Sequence, residues 1–197
     1  VAFSIKDNGA VISDGYGITS EYQGEIRLFQ YDNNSNRASI TDFSKAALNS
    51  TAYGAAVAAL SKDANKSPNT YTGRTFIGVD DRDGDGKAET VLIFVSSYSK
   101  QADAANVLYG FGADSVAMLD GGGSSQLIVN GTGYVNSARK IPHSICVVAG
   151  NGSNNTSDFP WYSQNDPAWK GRELGKCSSE TIGSAGCALS CVAMLLT

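Results

Sequence analysis

The sequence predicts an α+β fold: a mixed β-sheet core with one crossover helix and a mainly β N-terminal part, followed by a separate short C-terminal segment. Three observations carry that expectation. Short apolar runs broken by turn dipeptides fill residues 1–45, as in a series of hairpins. Across residues 92–119 an apolar run, a helix-periodic stretch and a second apolar run follow one another, the order of a crossover connection. After Ala149 the composition turns to Gly, Asn and Ser, and the chain beyond has a different character.

The totals bound the function. A chain of 197 residues with 42% hydrophobic content can bury one sizeable core, or one core plus a fragment, and is expected to be a soluble globular protein. A net charge of −4, with 15 basic residues and no Lys/Arg cluster, argues against nucleic acid or an anionic membrane surface as partner. No apolar run approaches the roughly 20 residues needed to span a bilayer, so no membrane insertion is expected. No signal peptide opens the chain, although its abrupt start is compatible with a removed leader. Richness in Asn, Ser, Thr, Gly and Tyr suits an extracellular or cell-wall location. The 4 cysteines, of which Cys177, Cys187 and Cys191 crowd together, do not make a disulfide framework for a chain this long. Oligomeric state is not legible.

Element by element, Asn8-Gly9 between Phe3-Ser4-Ile5 and Val11-Ile12 predicts a tight hairpin, and residues 26–29 with 38–40 predict a second across the polar loop 32–36. Residues 46–61 are Ala-rich and helical by propensity, but Gly54 interrupts them. A polar loop with Pro68 precedes two strands, 74–79 and 90–95. Ser99 is placed to cap a helix running through Tyr109, with Ala102, Ala105 and Leu108 at helical spacing and Gly110 and Gly112 ending it.

Between the two strands lies Asp80-Asp81-Arg82-Asp83-Gly84-Asp85-Gly86-Lys87-Ala88-Glu89. Asp81, Asp83, Asp85 and Glu89, with Gly86 at the sharp turn, follow the spacing of a calcium loop, and structural calcium is the predicted cofactor. The twelfth position is Leu92, so the pattern is closer to calcium-clamped hairpins of bacterial extracellular repeats than to an EF-hand. The alternative is a solvated acidic hairpin without an ion.

The crossover delivers Asp120 to the carboxyl end of its second strand, where open α/β sheets collect ligands. There the chain reads Leu119-Asp120-Gly121-Gly122-Gly123-Ser124-Ser125, then the apolar run 127–129 and Asn130-Gly131. Three glycines in succession add no packing, and are tolerated where φ must be positive or a ligand must approach the main chain. Their N–H groups and the two hydroxyls suit an anion. A simple Gly-rich turn is the competing reading.

This run resembles the signature of the phosphodiester glycosidase family. Three further segments agree in order: Arg74-Thr75-Phe76-Ile77-Gly78-Val79, the helix over residues 103–112, and Arg139 followed by Pro142 and a strand over 145–148. The resemblance covers residues 70–149 and is poor before them, where the family's upstream Asn-Gly-Gly-Phe-like segment has no counterpart; the expectation is that either the chain starts inside the domain or part of the site is absent. It favours strand for residues 46–61. It also implies hydrolysis of a sugar-1-phosphodiester, as in an exopolysaccharide, teichoic acid or other cell-envelope glycan. In that reading Asp120, Ser124, Arg74 and Arg139 are catalytic, and Gly121, Gly122, Gly123, Ser125 and Asn130 bind substrate. His143, the 1 histidine, has no family counterpart and is expected to be structural or exposed.

Residues 150–158 form a polar linker. Beyond it, Tyr162-Ser163-Gln164-Asn165-Asp166 with Trp169, and Gly186-Cys187 opening an apolar helix, resemble the start of papain-like cysteine peptidases of the bacteriocin-processing type. The resemblance makes Cys187 the nucleophile and Gln164 an oxyanion-hole residue. No histidine follows Cys187, so residues 159–197 are expected to be an inactive N-terminal stub of that domain. The rival to catalysis by residues 1–149 is a non-catalytic glycan-binding or targeting module of such a peptidase.

Overall fold

The computed structural model describes residues 3–15, 22 and 24–147, and the backbone of 173–174 and 177–181. By contacts the chain divides into a unit of residues 1–144 and a unit of residues 145–197. The first contains an eight-stranded sheet with central order β2-β1-β5-β8-β6-β7, to which β3 adds on β5 and β4 on β3.

Both predicted hairpins form. β1 (Ile5–Asp7) and β2 (Ala10–Ser13) are joined by Asn8 and Gly9, whose φ of 51° and 80° is the left-handed pair that a two-residue turn requires. β3 (Ile26–Asp32) and β4 (Arg37–Asp42) pair over their whole length. The Ala-rich stretch resolves into both of its readings. Ser44 Oγ accepts from Ala47 N at 3.0 Å to start the short helix α1 (Lys45–Asn49), and β5 (Ala55–Ser61) follows beyond Gly54. One edge of β5 takes β3, while its other edge is shared by β1 at Ala56 and Val57 and by β8 at Leu60 and Ser61. Helix propensity loses to this central position, where the small alanines Ala56, Ala58 and Ala59 are buried between layers.

β6 (Thr72–Asp80) and β7 (Thr90–Ser99) form the longest ladder, and α2 (Gln101–Gly110) leads on to β8 (Ser115–Met118). β8 pairs with β6, which separates it from β7, so the helix does cross over one strand. The expected mixed sheet is corrected here: every strand pair among the described residues is antiparallel, because the crossover skips a strand. The helix start also shifts. Ser99 ends β7, and Lys100 is the N-cap, its N–H donating to Asp103 Oδ2 at 3.3 Å.

Face assignment along β6 decides where the functional residues go. Gly78 lies under α2, where an added Cβ would stand 3.0 Å from Ala113 Cβ and 3.5 Å from Leu108 Cδ1. Ile77 and Val79 point the other way, into a core with Phe29, Ala38, Ala59, Ala88 and Ala117. Even-numbered residues of this segment therefore share the helix face and odd-numbered ones the opposite face.

Past β8, β9 (Leu127–Val129) and β10 (Thr132–Val135) make a hairpin whose turn residues Asn130 and Gly131 have φ of 50° and 79°. No strand forms at residues 145–147, contrary to expectation, and Val148 lies outside the described residues. In the second unit β11 (Glu173–Leu174) pairs with β12 (Cys177–Thr181). Cys187, Gln164 and the linker lie outside the described residues.

Candidate active site

β8 ends at Met118, and Leu119 N donates to Thr75 O at 2.9 Å, so Asp120 leaves the sheet from a fixed point. Its carboxylate is exposed and Oδ1 accepts from Gly121 N at 2.9 Å, which leaves Oδ2 unengaged among the described residues. The glycines then turn as a single 3-10 loop over Gly122–Ser124, closed by Ser124 N to Gly121 O at 3.1 Å and Ser125 N to Gly122 O at 3.2 Å. Gly122 has φ of 60°. The N–H groups of Gly122 and Gly123 make no hydrogen bond among the described residues.

Why this loop must be glycine is visible in what surrounds it. An added Cβ on Gly121 would meet Gly73 O at 2.7 Å, and one on Gly73 would overlap the Gly122 carbonyl. Two backbones thus press together with no room for a side chain on either. On the other side, a Cβ on Gly123 would lie 3.3 Å from Arg139 Cδ. Arg139 is held there by its own main chain: its carbonyl accepts from Gln126 Nε2 at 2.9 Å and its N–H donates to Ser137 Oγ at 3.1 Å. Its exposed guanidinium has no ion-pair partner among the described residues.

The expected residues separate into two groups. Asp120, Gly121, Gly122, Gly123, Ser124 and Arg139 come together. Ser125 is also in the loop but is buried, and Thr75 Oγ1 donates to its Oγ at 3.0 Å, so its hydroxyl anchors the loop to β6. Asn130 sits in the β9–β10 turn, where its left-handed backbone gives it a conformational task. Arg74 is turned to the helix face and buried, with Nη1 donating to Lys66 O at 2.9 Å and Nη2 to Ser67 O at 2.7 Å and Thr70 O at 3.2 Å. Burial pushes its guanidinium below the usual arginine range, and Nε is without a partner. Its guanidinium thus clamps the loop before β6. His143 is exposed.

A family model described as phosphodiester glycosidase matches residues 2–148. The chain belongs to the phosphodiester glycosidase family. The match extends over the N-terminal hairpins as well as over residues 70–149, so the sheet built by β1 to β5 is part of the phosphodiester glycosidase domain and not an unrelated appendage. Neither the curated proteins nor the solved structures yield a match. Among the described residues no helix is long and apolar enough to cross a membrane.

Sequence reasoning missed Gly73, Gln126 and Ser137. Gly73 had a signal, a glycine inside a strand pattern, which marks close backbone approach. Gln126 and Ser137 act by bonding main chain across the loop, and residue type alone does not announce that.

A second cluster lies at the β6–β7 turn. Ligand oxygens of Asp81, Asp83, Asp85 and Glu89 all fall within 4.8 Å of one another. Asp81 accepts from Gly84 N at 3.0 Å and Gly86 N at 2.8 Å, Asp83 from Asp85 N at 3.1 Å, and Asp85 from Lys87 N at 2.8 Å. Ala88, paired both ways with Ala38, pins the loop's exit to β4. An all-carboxylate oxygen set of this size fits a hard cation such as calcium, which would offset the mutual repulsion of the four acids.

Proposed function

We propose that this phosphodiester glycosidase-family domain hydrolyses a sugar-1-phosphodiester of a cell-envelope or extracellular glycan, in an extracellular or cell-wall-associated setting. One observation carries the reading. Asp120 enters a glycine loop with two unspent N–H groups while the unpaired Arg139 lies over the same loop, which brings a carboxylate, main-chain donors and a cation into one place.

The chemistry asks for that combination. A water oxygen bonds to the anomeric carbon, the bond from that carbon to the phosphate oxygen breaks, and its electron pair stays on the departing phosphomonoester. Phosphate is a weakly basic leaving group and needs little protonation. The work lies in stabilising the oxocarbenium-like sugar and taking a proton from water, both tasks for a carboxylate, and Asp120 Oδ2 is available for them. The anionic phosphodiester is met by the Arg139 fork, the N–H groups of Gly122 and Gly123, and the Ser124 hydroxyl. Calcium in the loop of residues 81–89 is a structural ion in this reading, tightening the turn between β6 and β7. Residues 159–197 are read as peptidase-like, with Cys187 and Gln164 in the roles that resemblance implies.

The direct test is release of free sugar from a panel of sugar-1-phosphodiesters and teichoic-acid fragments. Appearance of reducing sugar together with phosphomonoester supports the reading. Binding of the panel without release favours the non-catalytic module.

A further inference from the structure

Tyr71 and Tyr98 form an exposed aromatic stack, with ring centroids 4.8 Å apart and an interplanar angle of 15°. Large rings at the surface usually turn inward or lie singly, yet Tyr71 is 48% and Tyr98 70% exposed. The Lys100 ammonium lies 5.1 Å from the Tyr71 ring centroid, and no carboxylate among the described residues forms an ion pair with it. With the rings stacked on each other and the ammonium over Tyr71, the face left open is the outer one of Tyr98, a prearranged apolar surface with a cation in the same cluster. The main-chain N–H of Tyr98 donates to Ser96 Oγ at 3.0 Å.

Position gives this plate a meaning. Tyr71 precedes Gly73 by two residues, a reach of about 7 Å in extended chain. Gly73 is the residue pressed against Gly121 and Gly122. Tyr98 belongs to β7, which β10 touches, and β10 is the outer strand of the hairpin that issues from the glycine loop. Tyr71 therefore stands two residues from the glycine pressed against the catalytic loop, and Tyr98 lies on a strand that the loop's continuation touches.

Resting on the function proposed above, we propose that Tyr71 and Tyr98 are a sugar-binding platform that holds a pyranose ring of the substrate's glycan chain, with Lys100 meeting a phosphate of that chain. The C–H face of a pyranose is apolar and flat enough to lie on an aromatic ring. A stack already formed in the free protein loses little conformational freedom on binding. The occupant is a glycan whose units are joined through phosphodiesters, which supplies both the ring face and the charge that this surface complements.

The test is calorimetric titration of the full chain with two ligands of equal length. One is a hexose oligomer joined through phosphodiesters, with a non-hydrolysable phosphonate at the terminal linkage, and the other an uncharged hexose oligomer. Tyr98→Ala should weaken binding of the first about three- to tenfold, while Tyr98→Phe, which keeps the ring, stays within about twofold of wild type. Lys100→Ala should erase the preference for the charged oligomer. Wild-type affinity in Tyr98→Ala, an equal loss in Tyr98→Phe, or no binding by the wild type overturns the platform, and an unchanged preference in Lys100→Ala removes the lysine from it. Sugar release from a short sugar-1-phosphodiester is measured in parallel. Release with binding indifferent to Tyr98 defeats the platform alone. Ring-dependent binding without release from any phosphodiester defeats the catalytic reading alone.

Discussion

Thr75 Oγ1 donates to Ser125 Oγ at 3.0 Å, and this one bond tells which face of β6 belongs to the glycine loop. Successive strand residues leave opposite faces of a sheet, so Arg74 is directed away from the loop that Thr75 holds. Its guanidinium ends among the carbonyls of Lys66, Ser67 and Thr70. The two arginines of the family-like motif therefore have different work: Arg74 builds the domain, and Arg139 faces the loop.

That division predicts opposite behaviour on mutation. Arg74→Ala removes a buried side chain and the three hydrogen bonds by which it holds residues 66–70, and should cost about 2–4 kcal/mol, lowering the melting temperature by about 5–15 °C. Arg139→Ala, at an exposed position, should change stability by less than about 0.5 kcal/mol while raising KM for a sugar-1-phosphodiester about tenfold or more. Thermal melts and steady-state kinetics on the two variants check this. An Arg74→Ala protein with wild-type stability and a raised KM reverses the assignment.

Gly73→Ala should be more damaging than its chemistry suggests. One methyl group overlaps the Gly122 carbonyl, and the loop has no flexible side chain that can yield. A loss of about 1–3 kcal/mol is expected, with sugar release falling out of proportion to the fraction unfolded. Normal activity in a Gly73→Ala protein shows that the close approach is dispensable.

Calcium should raise the melting temperature through the loop of residues 81–89. At a concentration about 100 times Kd the gain is about 2.7 kcal/mol, and the double variant Asp83→Ala, Asp85→Ala should lose it. An unmoved wild-type melt in calcium, or an equal rise in the double variant, rejects the site.

Much of this arrangement was legible before the structure. Asn8-Gly9 and Asn130-Gly131 announced their turns because left-handed φ at both central positions restricts the choice of residues. The run 120–125 announced a bare loop after a strand. Other features were hidden for physical reasons. Phe76, Ile77, Gly78 and Val79 are buried on both faces of β6, so the segment shows no alternation from which to read that Arg74 and Thr75 part company. In β5 the alanines read as helix, since nothing in their propensity records that three strands crowd around them. Antiparallel pairing of β8 with β6 depends on which neighbour the crossover reaches, a choice made by tertiary packing.

Asp120 carries the central claim, and Asp120→Asn tests it most directly. The exchange keeps the shape and the oxygen that accepts from Gly121 N, but removes the negative charge and the proton acceptor. The measurement is sugar release from a sugar-1-phosphodiester by the purified variant, with its melting temperature taken alongside. The expected result is a fall of at least about a hundredfold in kcat with the melting temperature unchanged. Wild-type turnover by a folded Asp120→Asn protein would contradict the account.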